Sequence, residues 1–255
     1  MIINIVERHK LILEKLEKDG FVNVNELSRE FQVSAVTIRK DLKLLEERKL
    51  LFRSHGRAIP SNPYITEHHV EIKEKINTEQ KQKIANAAKK TLLPQDTIIM
   101  ASGTSVIEFA RQIAEMEKLT VVSASLNTSL ILSKNPNIDV IQLGGSVRPN
   151  SSSVIGPIVE KMLAEFTFTK LFLGVDGIDL DFGLTTTNAM EASLNKVMIK
   201  AAQRIIVLAD SSKFGRKGFG RICGLEDIDQ IITDEGIDEK TKSRVLELGI
   251  DLIVV

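Results

Sequence analysis

Two hydrophobic rhythms divide this chain. Up to about residue 48 the apolar positions recur at helical spacing, and from about residue 97 they gather into short runs separated by helical stretches. The first rhythm predicts a helix over 5–18, with Ile5, Ile12 and Leu16 on one face, Leu13 beside them and His9 at the core edge. Asp19-Gly20 ends it. Residues 21–24 read as a short extended link, Asn25 as the cap of a second helix over 26–31, and Gln32-Val33 as a turn. Ser34 then caps a third helix that runs to about Arg48, because its hydroxyl can accept a hydrogen bond from an unpaired N–H of the first turn. Ile38, Leu42 and Leu45 fall at i, i+4 and i+7 and form its buried stripe; Val36, Lys40 and Lys43 lie opposite, with Thr37 and Arg39 on the flanks. Residues 50–59 read as a two-stranded hairpin turning at His55-Gly56, where glycine tolerates a positive φ.

The second rhythm starts after a mixed-charge helix over 78–92. Strand-like runs cover 97–101, 119–123, 139–143, 170–175, 204–209, 230–233 and 251–255, with helices near 105–115, 126–134, 157–166, 188–202 and 238–248. Short apolar strands alternating with helices predict an α/β domain with a doubly wound, mostly parallel sheet. Between the two halves, Pro60-Ser61-Asn62-Pro63 opens a stretch with no apolar period before Ile76. The expected organisation is an N-terminal winged helix-turn-helix over 1–59, a linker over 60–76 and a larger α/β effector-binding domain over 77–255.

Charge sharpens this division. The net charge of +0 over 255 residues argues against a nucleic-acid partner, yet residues 1–60 hold 12 Lys/Arg against 9 Asp/Glu, and residues 34–60 hold 7 against 3. A basic end on a mildly acidic body fits a DNA-binding module fused to something else. The single cysteine, Cys223, excludes an internal disulfide and a cysteine-based metal cluster. No apolar run approaches the roughly 20 residues of a membrane span, and the N-terminus lacks the apolar run of a signal peptide. A cytoplasmic protein without membrane contact is expected. His68-His69 lacks a nearby cysteine or an acid/His spacing and reads as solvated linker, so neither a metal nor a cofactor is expected.

A helix with an apolar back and a basic front is also what a solvated surface helix presents. The basic hairpin behind it changes the balance, since the two together make a winged helix-turn-helix. Arginine can bond guanine O6 and N7 bidentately, threonine can take a base edge or a phosphate, and lysine neutralises phosphates. The candidate contacts to a double-stranded DNA operator are therefore Ser34, Thr37, Arg39, Lys40, Lys43, Arg53, His55 and Arg57.

In doubly wound sheets ligands bind beyond the carboxyl ends of the strands. After the first such strand, Ser102, Gly103, Thr104 and Ser105 open a helix. They make either an ordinary capped turn or an anion site of backbone N–H groups, hydroxyls and a helix N-terminus. Gly144 permits close backbone approach after another strand; Asp176 and Gly177 follow a third; Asp210-Ser211-Ser212-Lys213 follows a fourth; and Lys196 lies in the helix after Gly183-Leu184-Thr185. Such a set suits a phosphorylated sugar or polyol, with its phosphate on residues 102–105, Asp176 on its hydroxyls, and Lys213 or Lys196 balancing charge.

The motifs resemble a known family. Val33-Ser34-x-x-Thr37-Ile38-Arg39-Lys40-Asp41-Leu42, then Leu45-Glu46 and Arg53-x-His55-Gly56, resemble the DeoR family of bacterial sugar-metabolism transcription regulators. Arg57 stands where that family has a second wing glycine. The other half is similar too: Ser102-Gly103-Thr104-Ser105 matches the family's Ser-Gly-Thr-Thr loop. Gly174-Val175-Asp176-Gly177-Ile178 matches Gly-x-Asp-Gly-Ile, and the Gly183, Glu191-Ala192, Lys196 and Asp210–Gly215 segments match as well. The resemblance implies an effector domain similar in fold to ribose-5-phosphate isomerase and a homo-oligomer, dimer or tetramer. It also implies a repressor of a carbohydrate operon whose DNA affinity a phosphorylated metabolite controls. Ala101 stands where the family has Asp, and Ser123-Ala124 where it has Thr-Asn, which would take an acid and an amide from the pocket rim. Two other functions fit the same residues. One is a sugar-phosphate isomerase using Asp176, Glu191 and Lys196 for proton transfer. The other is a constitutive DNA-binding regulator with a vestigial pocket.

Overall fold

The computed structural model describes residues 4–19, 21–48, 50–54, 57–59 and 69–255, and the chain divides into Met1–Thr66 and Glu67–Val255. The first unit contains α1 (Ile5–Asp19), β1 (Val22–Asn23), α2 (Val24–Glu30), α3 (Ala35–Glu47), β2 (Phe52–Ser54) and β3 (Arg57–Ile59). The stripe expected on α3 is buried: Ile38, Leu42 and Leu45 pack with Ile12, Leu16, Leu27 and Leu51 in one cluster. Two details differ from the sequence expectation. Ile5 is 48% exposed, because it lies in the first turn of α1, before the helix reaches the core. The cap of α2 is Asn23, whose side-chain Oδ1 accepts from Asn25 N–H at 2.8 Å, so this helix starts two residues earlier than expected. The hairpin β2–β3 adds to the two-residue β1 in the order β1-β3-β2, and so anchors the wing on the helical core.

A buried charge cluster joins α1 to α3. The Arg8 guanidinium contacts Asp41 Oδ2 at 2.5 Å through Nε and donates to Oδ1 at 3.1 Å through Nη2, and His9 Nε2 lies 3.1 Å from Oδ1. The Asp41 side chain is 3% exposed, so water supplies almost none of its solvation.

The second unit opens with α4 (Val70–Glu74) and α5 (Thr78–Lys89). It continues through β4 (Thr97–Met100), α6 (Thr104–Ile113), β5 (Leu119–Ser123), α7 (Leu126–Leu132) and β6 (Ile138–Gln142). A hairpin of β7 (Ser146–Arg148) and β8 (Ser153–Ile155) follows, then α8 (Pro157–Leu163), β9 (Phe168–Gly174), β10 (Gly177–Asp179), β11 (Gly183–Thr186) and α9 (Ala189–Ala201). The chain closes with β12 (Ala202–Leu208), β13 (Gly220–Cys223), β14 (Gln230–Thr233), α10 (Glu239–Glu247) and β15 (Asp251–Val254). The linker expected over 60–76 therefore ends early. Residues 70–74 are helical and belong to this unit, although only Val70 of α4 is buried and no apolar period announces it.

The seven strand-like runs of the sequence form one sheet, order β15-β14-β12-β9-β4-β5-β6, with every neighbouring pair parallel. Its residues alternate between two buried layers. Ile99, Leu171, Leu173, Ile205 and Val207 face one cluster, while Ile98, Met100, Phe172, Ile206 and Leu208 face the other with α5 and α6. From β4 the chain first builds outward through β5 and β6, then returns to the other side of β4 with β9 and continues through β12, β14 and β15. The junction of β4 and β9 is thus the point where strand order reverses, and connections leave it in opposite directions, opening a crevice at the carboxyl ends.

Asp41→Ala removes the buried carboxylate that Arg8 and His9 contact from α1. The expected cost is about 3 kcal/mol in the first unit, measured as lost amide protection in α1 and α3 of the full chain. Protection equal to wild type would show that the cluster contributes little.

Candidate functional site

In the first unit, α3 carries Arg39, Lys40 and Lys43. Ser34 accepts from Thr37 N–H at 3.1 Å, and its hydroxyl shares a 2.9 Å hydrogen bond with Thr37 Oγ1, so both hydroxyls lie at the exposed start of the helix. Arg39, Lys40 and Lys43 are exposed on the side away from the buried stripe; Lys43 reaches Glu47 at 3.8 Å, a loose surface pair. Arg53 is engaged differently. Its Nε donates to Glu46 Oε2 at 2.7 Å and its backbone N–H to Glu46 Oε1 at 2.9 Å. That bidentate clamp fixes strand β2 to the end of α3, so Arg53 sets the wing's attachment and its guanidinium is already bonded. His55, the Arg57 side chain and the hairpin tip lie outside the described residues.

In the second unit, the crevice between β4 and β9 contains a small cavity. Its wall includes Ser102, Gly103, Thr104 and Ser105 after β4, Asp176 after β9, and Lys213. Gly103, at φ 132°, opens α6, and no side chain caps that helix. The first-turn N–H groups of a helix have no partner within it, and the dipole places partial positive charge there. A Cβ on Gly174 would come within 3.0 Å of the Ser102 carbonyl, so glycine at the end of β9 lets the two strand ends close up.

Asp176 is held by four hydrogen bonds among the described residues. Its Oδ1 accepts from Lys73 Nζ at 2.7 Å; its Oδ2 accepts from Thr187 N–H at 3.0 Å, Thr186 Oγ1 at 3.0 Å and Thr187 Oγ1 at 3.2 Å. Burial by itself would raise this carboxyl, but the Lys73 and Lys213 ammoniums and these hydrogen bonds hold it far below the usual carboxylate range. Burial lowers Lys213 despite the opposing pull of Asp210 and Asp176. Asp210 itself caps the turn that carries Lys213, accepting from Ser212 N–H at 3.1 Å and from Asn77 Nδ2 at 3.0 Å. Glu191, reached from Asp176 through the shared Thr186 Oγ1, pairs with Arg148 Nη1 at 2.6 Å and accepts from Ser153 Oγ at 3.0 Å. An uncapped helix start, a partly desolvated lysine and an ionised carboxylate within one cavity can hold an anion at one end and hydroxyl groups at the other.

Three of the expected residues lie elsewhere. Gly144 is exposed and a Cβ there would meet open space; the constrained glycine is its neighbour Gly145, at φ 151°. Gly177 lies against the Arg216 backbone, where a Cβ would stand 2.4 Å from the carbonyl oxygen, and is not on the cavity wall. Lys196 is exposed on α9 beside Lys200, Arg221 and Cys223, in a separate depression. Helical phase explains this: Glu191 and Asn195 are four residues apart and face the cavity, and one further residue turns the side chain by about 100°. Asn195 was legible from that spacing. Lys73, Asn150 and Ser151 also line the cavity, from segments that carried no motif, as does Thr186, one residue beyond Gly183-Leu184-Thr185.

Comparison with known proteins bears on both units. Residues 8–63 match the DeoR-like helix-turn-helix domain, and residues 76–235 match the DeoR C-terminal sensor domain. The chain belongs to the DeoR family. A provisionally named aga operon transcriptional repressor of Escherichia coli O157:H7 is 37% identical, over 98% of this chain and 93% of its own. The transcriptional repressor CsqR of Escherichia coli K12 is 30% identical over 97% and 94%. The glycerol-3-phosphate regulon repressor of the same strain is 29% identical over 89% and 90%. Among solved structures, ribose 5-phosphate isomerase A of Methanocaldococcus jannaschii aligns with 54% of this chain and 55% of its own at a TM-score of 0.41 and 18% identity. This DeoR-family chain is a transcriptional regulator, and the isomerase alternative falls with that assignment. Its two departures from the family motif, Ala101 and Ala124, are buried in the apolar layer below the site and do not line the cavity.

Because Asp176 is held below its ordinary value, it stabilises the fold above about pH 4 and that contribution fades as pH falls below it. Asp176→Asn is expected to flatten the fall of Tm between about pH 5 and 3. Parallel Tm curves for variant and wild type would show that Asp176 gains nothing from its cationic neighbours.

Proposed function

We propose that this DeoR-family regulator is a sequence-specific repressor of a carbohydrate-metabolism operon, with its DNA affinity set by a phosphorylated sugar or polyol in the β4–β9 cavity. The observation that carries this reading is the pairing of an uncapped α6 N-terminus with Asp176 and Lys213 at the point where strand order reverses. The phosphate sits on the first-turn N–H groups and hydroxyls of residues 102–105, with Lys213 offsetting its charge. Asp176 accepts from the ligand's hydroxyls. The names of the aga operon and glycerol-3-phosphate regulon relatives support a ligand of this class.

On the DNA side, α3 enters the major groove with Arg39, Lys40 and Lys43 outward and Ser34 and Thr37 at its leading end, while the wing follows the backbone. Arg53 serves by holding the wing through Glu46. Residues 1–59 are the DNA-binding domain, and the effector domain begins with α4. Paired half-sites need two such heads, so the working form is a homo-oligomer, a dimer or tetramer. No described helix is long and apolar enough to cross a membrane, in keeping with a cytoplasmic site of action.

A thermal-shift panel of phosphorylated sugars and polyols is expected to give a hit that also changes DNA affinity; bound ligand at a hundredfold excess over Kd stabilises by about 2.7 kcal/mol. Thr104→Glu is expected to abolish that shift and the DNA response while leaving basal DNA binding intact. A normal response in this variant would place the anion site elsewhere, and a panel without a hit would favour a regulator that does not sense this class. Arg39→Ala is expected to weaken binding to a selected operator by about 1–3 kcal/mol and relax base preference; an unchanged footprint and affinity would remove Arg39 from base reading.

A further inference from the structure

Helix α4 is fastened to the second unit mainly by polar contacts. Val70 is 6% exposed, but Ile72 and Ile76 are each 51% exposed, so little apolar surface holds the segment down. Its fastenings are specific. Val70 N–H donates to the Asn150 carbonyl at 2.7 Å, Lys73 pairs with Asp176 at 2.7 Å, and Glu74 pairs with Arg111 of α6 at 3.1 Å. The Lys81 ammonium donates to the Lys73 carbonyl at 2.6 Å and to that of Ile76. Asn77, in the left-handed region at φ 52°, then turns the chain into α5. Segments with few buried apolar contacts open at low free energy.

Two of these fastenings end on the cavity itself, at Asn150 and Asp176. The cavity has a volume of about 60 Å³. That is room for about four waters, against the roughly 300–1,000 Å³ of small-molecule sites. A sugar phosphate therefore needs more room than the cavity offers, and Val70 and Lys73 stand on its wall. Removing Lys73 from Asp176 does not strand the carboxylate, because the Thr187 N–H and two threonine hydroxyls still donate to it. In sequence, α4 follows directly on residues 60–68, the segment that joins this unit to the helix-turn-helix.

We propose that α4 is a latch through which occupancy of the cavity reaches the DNA-binding half. Lys73 holds the latch on Asp176. An anionic polyol takes the Asp176 oxygens with its hydroxyls and draws the Lys73 ammonium to its phosphate, and α4 moves with it. A ligand shifts an equilibrium only by binding one arrangement better than the other; here the phosphate meets Lys73 only after the latch has opened. This inference rests on the cavity being the effector site.

The test uses the full chain and a DNA duplex that the wild-type chain selects from a random-sequence pool. Lys73→Met is expected to raise amide exchange over residues 70–76 about tenfold, with α5 and β4 protected as in wild type, and to change affinity for the duplex about fivefold. Lys73→Arg, which keeps the ion pair, and Lys75→Met, which removes an exposed charge from the same segment, are expected to match wild type in both measurements. Unchanged exchange over 70–76 in Lys73→Met overturns the latch. Faster exchange with unchanged DNA affinity overturns its coupling to the DNA-binding half. Neither measurement needs added ligand, so failure of the latch is distinguishable from failure of the sugar-phosphate panel.

Discussion

The close approach of β4 and β9 is the constraint on which the second unit depends. These parallel strands are neighbours in the sheet, yet the chain leaves them toward opposite edges. At their carboxyl ends, the missing side chain at Gly174 lets the Ser102 carbonyl come near. The crevice therefore follows from topology, and its chemistry from which residues stand at the two strand ends. On one side that is an uncapped helix start, on the other Asp176. Positive potential and a carboxylate are placed within one small volume before any ligand is considered.

The charges around that volume offset one another. Lys73 and Lys213 both act on Asp176, Lys213 and Lys81 both act on Asp210, and burial pushes the Lys213 and Lys81 ammoniums toward neutrality. Such a cluster holds together because no member is without a counter-charge. It also means that an added anion enters a network already arranged around compensating charge, where small rearrangements alter several pairs at once.

Much of the fold was legible because parallel strands buried on both faces read as plain apolar runs, and all seven such runs are strands of one sheet. Helix α3 was legible for a different reason: Ile38, Leu42 and Leu45 keep a strict helical period beneath a polar face. The elements that escaped notice are short or lack a burial period. Strands β7, β8 and β10 have three residues each, and α4 buries only Val70. Site residues separated along the same line. Ser102 to Ser105, Asp176 and Lys213 stand next to strand ends, where the sheet rule points, while Lys73 reaches Asp176 across 103 positions of sequence. Lys196 was misplaced because membership of a helix says nothing of its face until the phase is fixed by a neighbour such as Glu191.

The Arg8–Asp41–His9 cluster has a consequence for how such proteins diversify. It fastens α3 from behind, through a carboxylate almost wholly shut off from solvent. Orientation of the helix and the identity of its outward side chains are thereby decoupled. Val36, Arg39, Lys40 and Lys43 can be exchanged one at a time without unseating the scaffold that presents them. The outward face of α3 can therefore vary in sequence at these solvent-facing positions while the mounting of the helix stays the same.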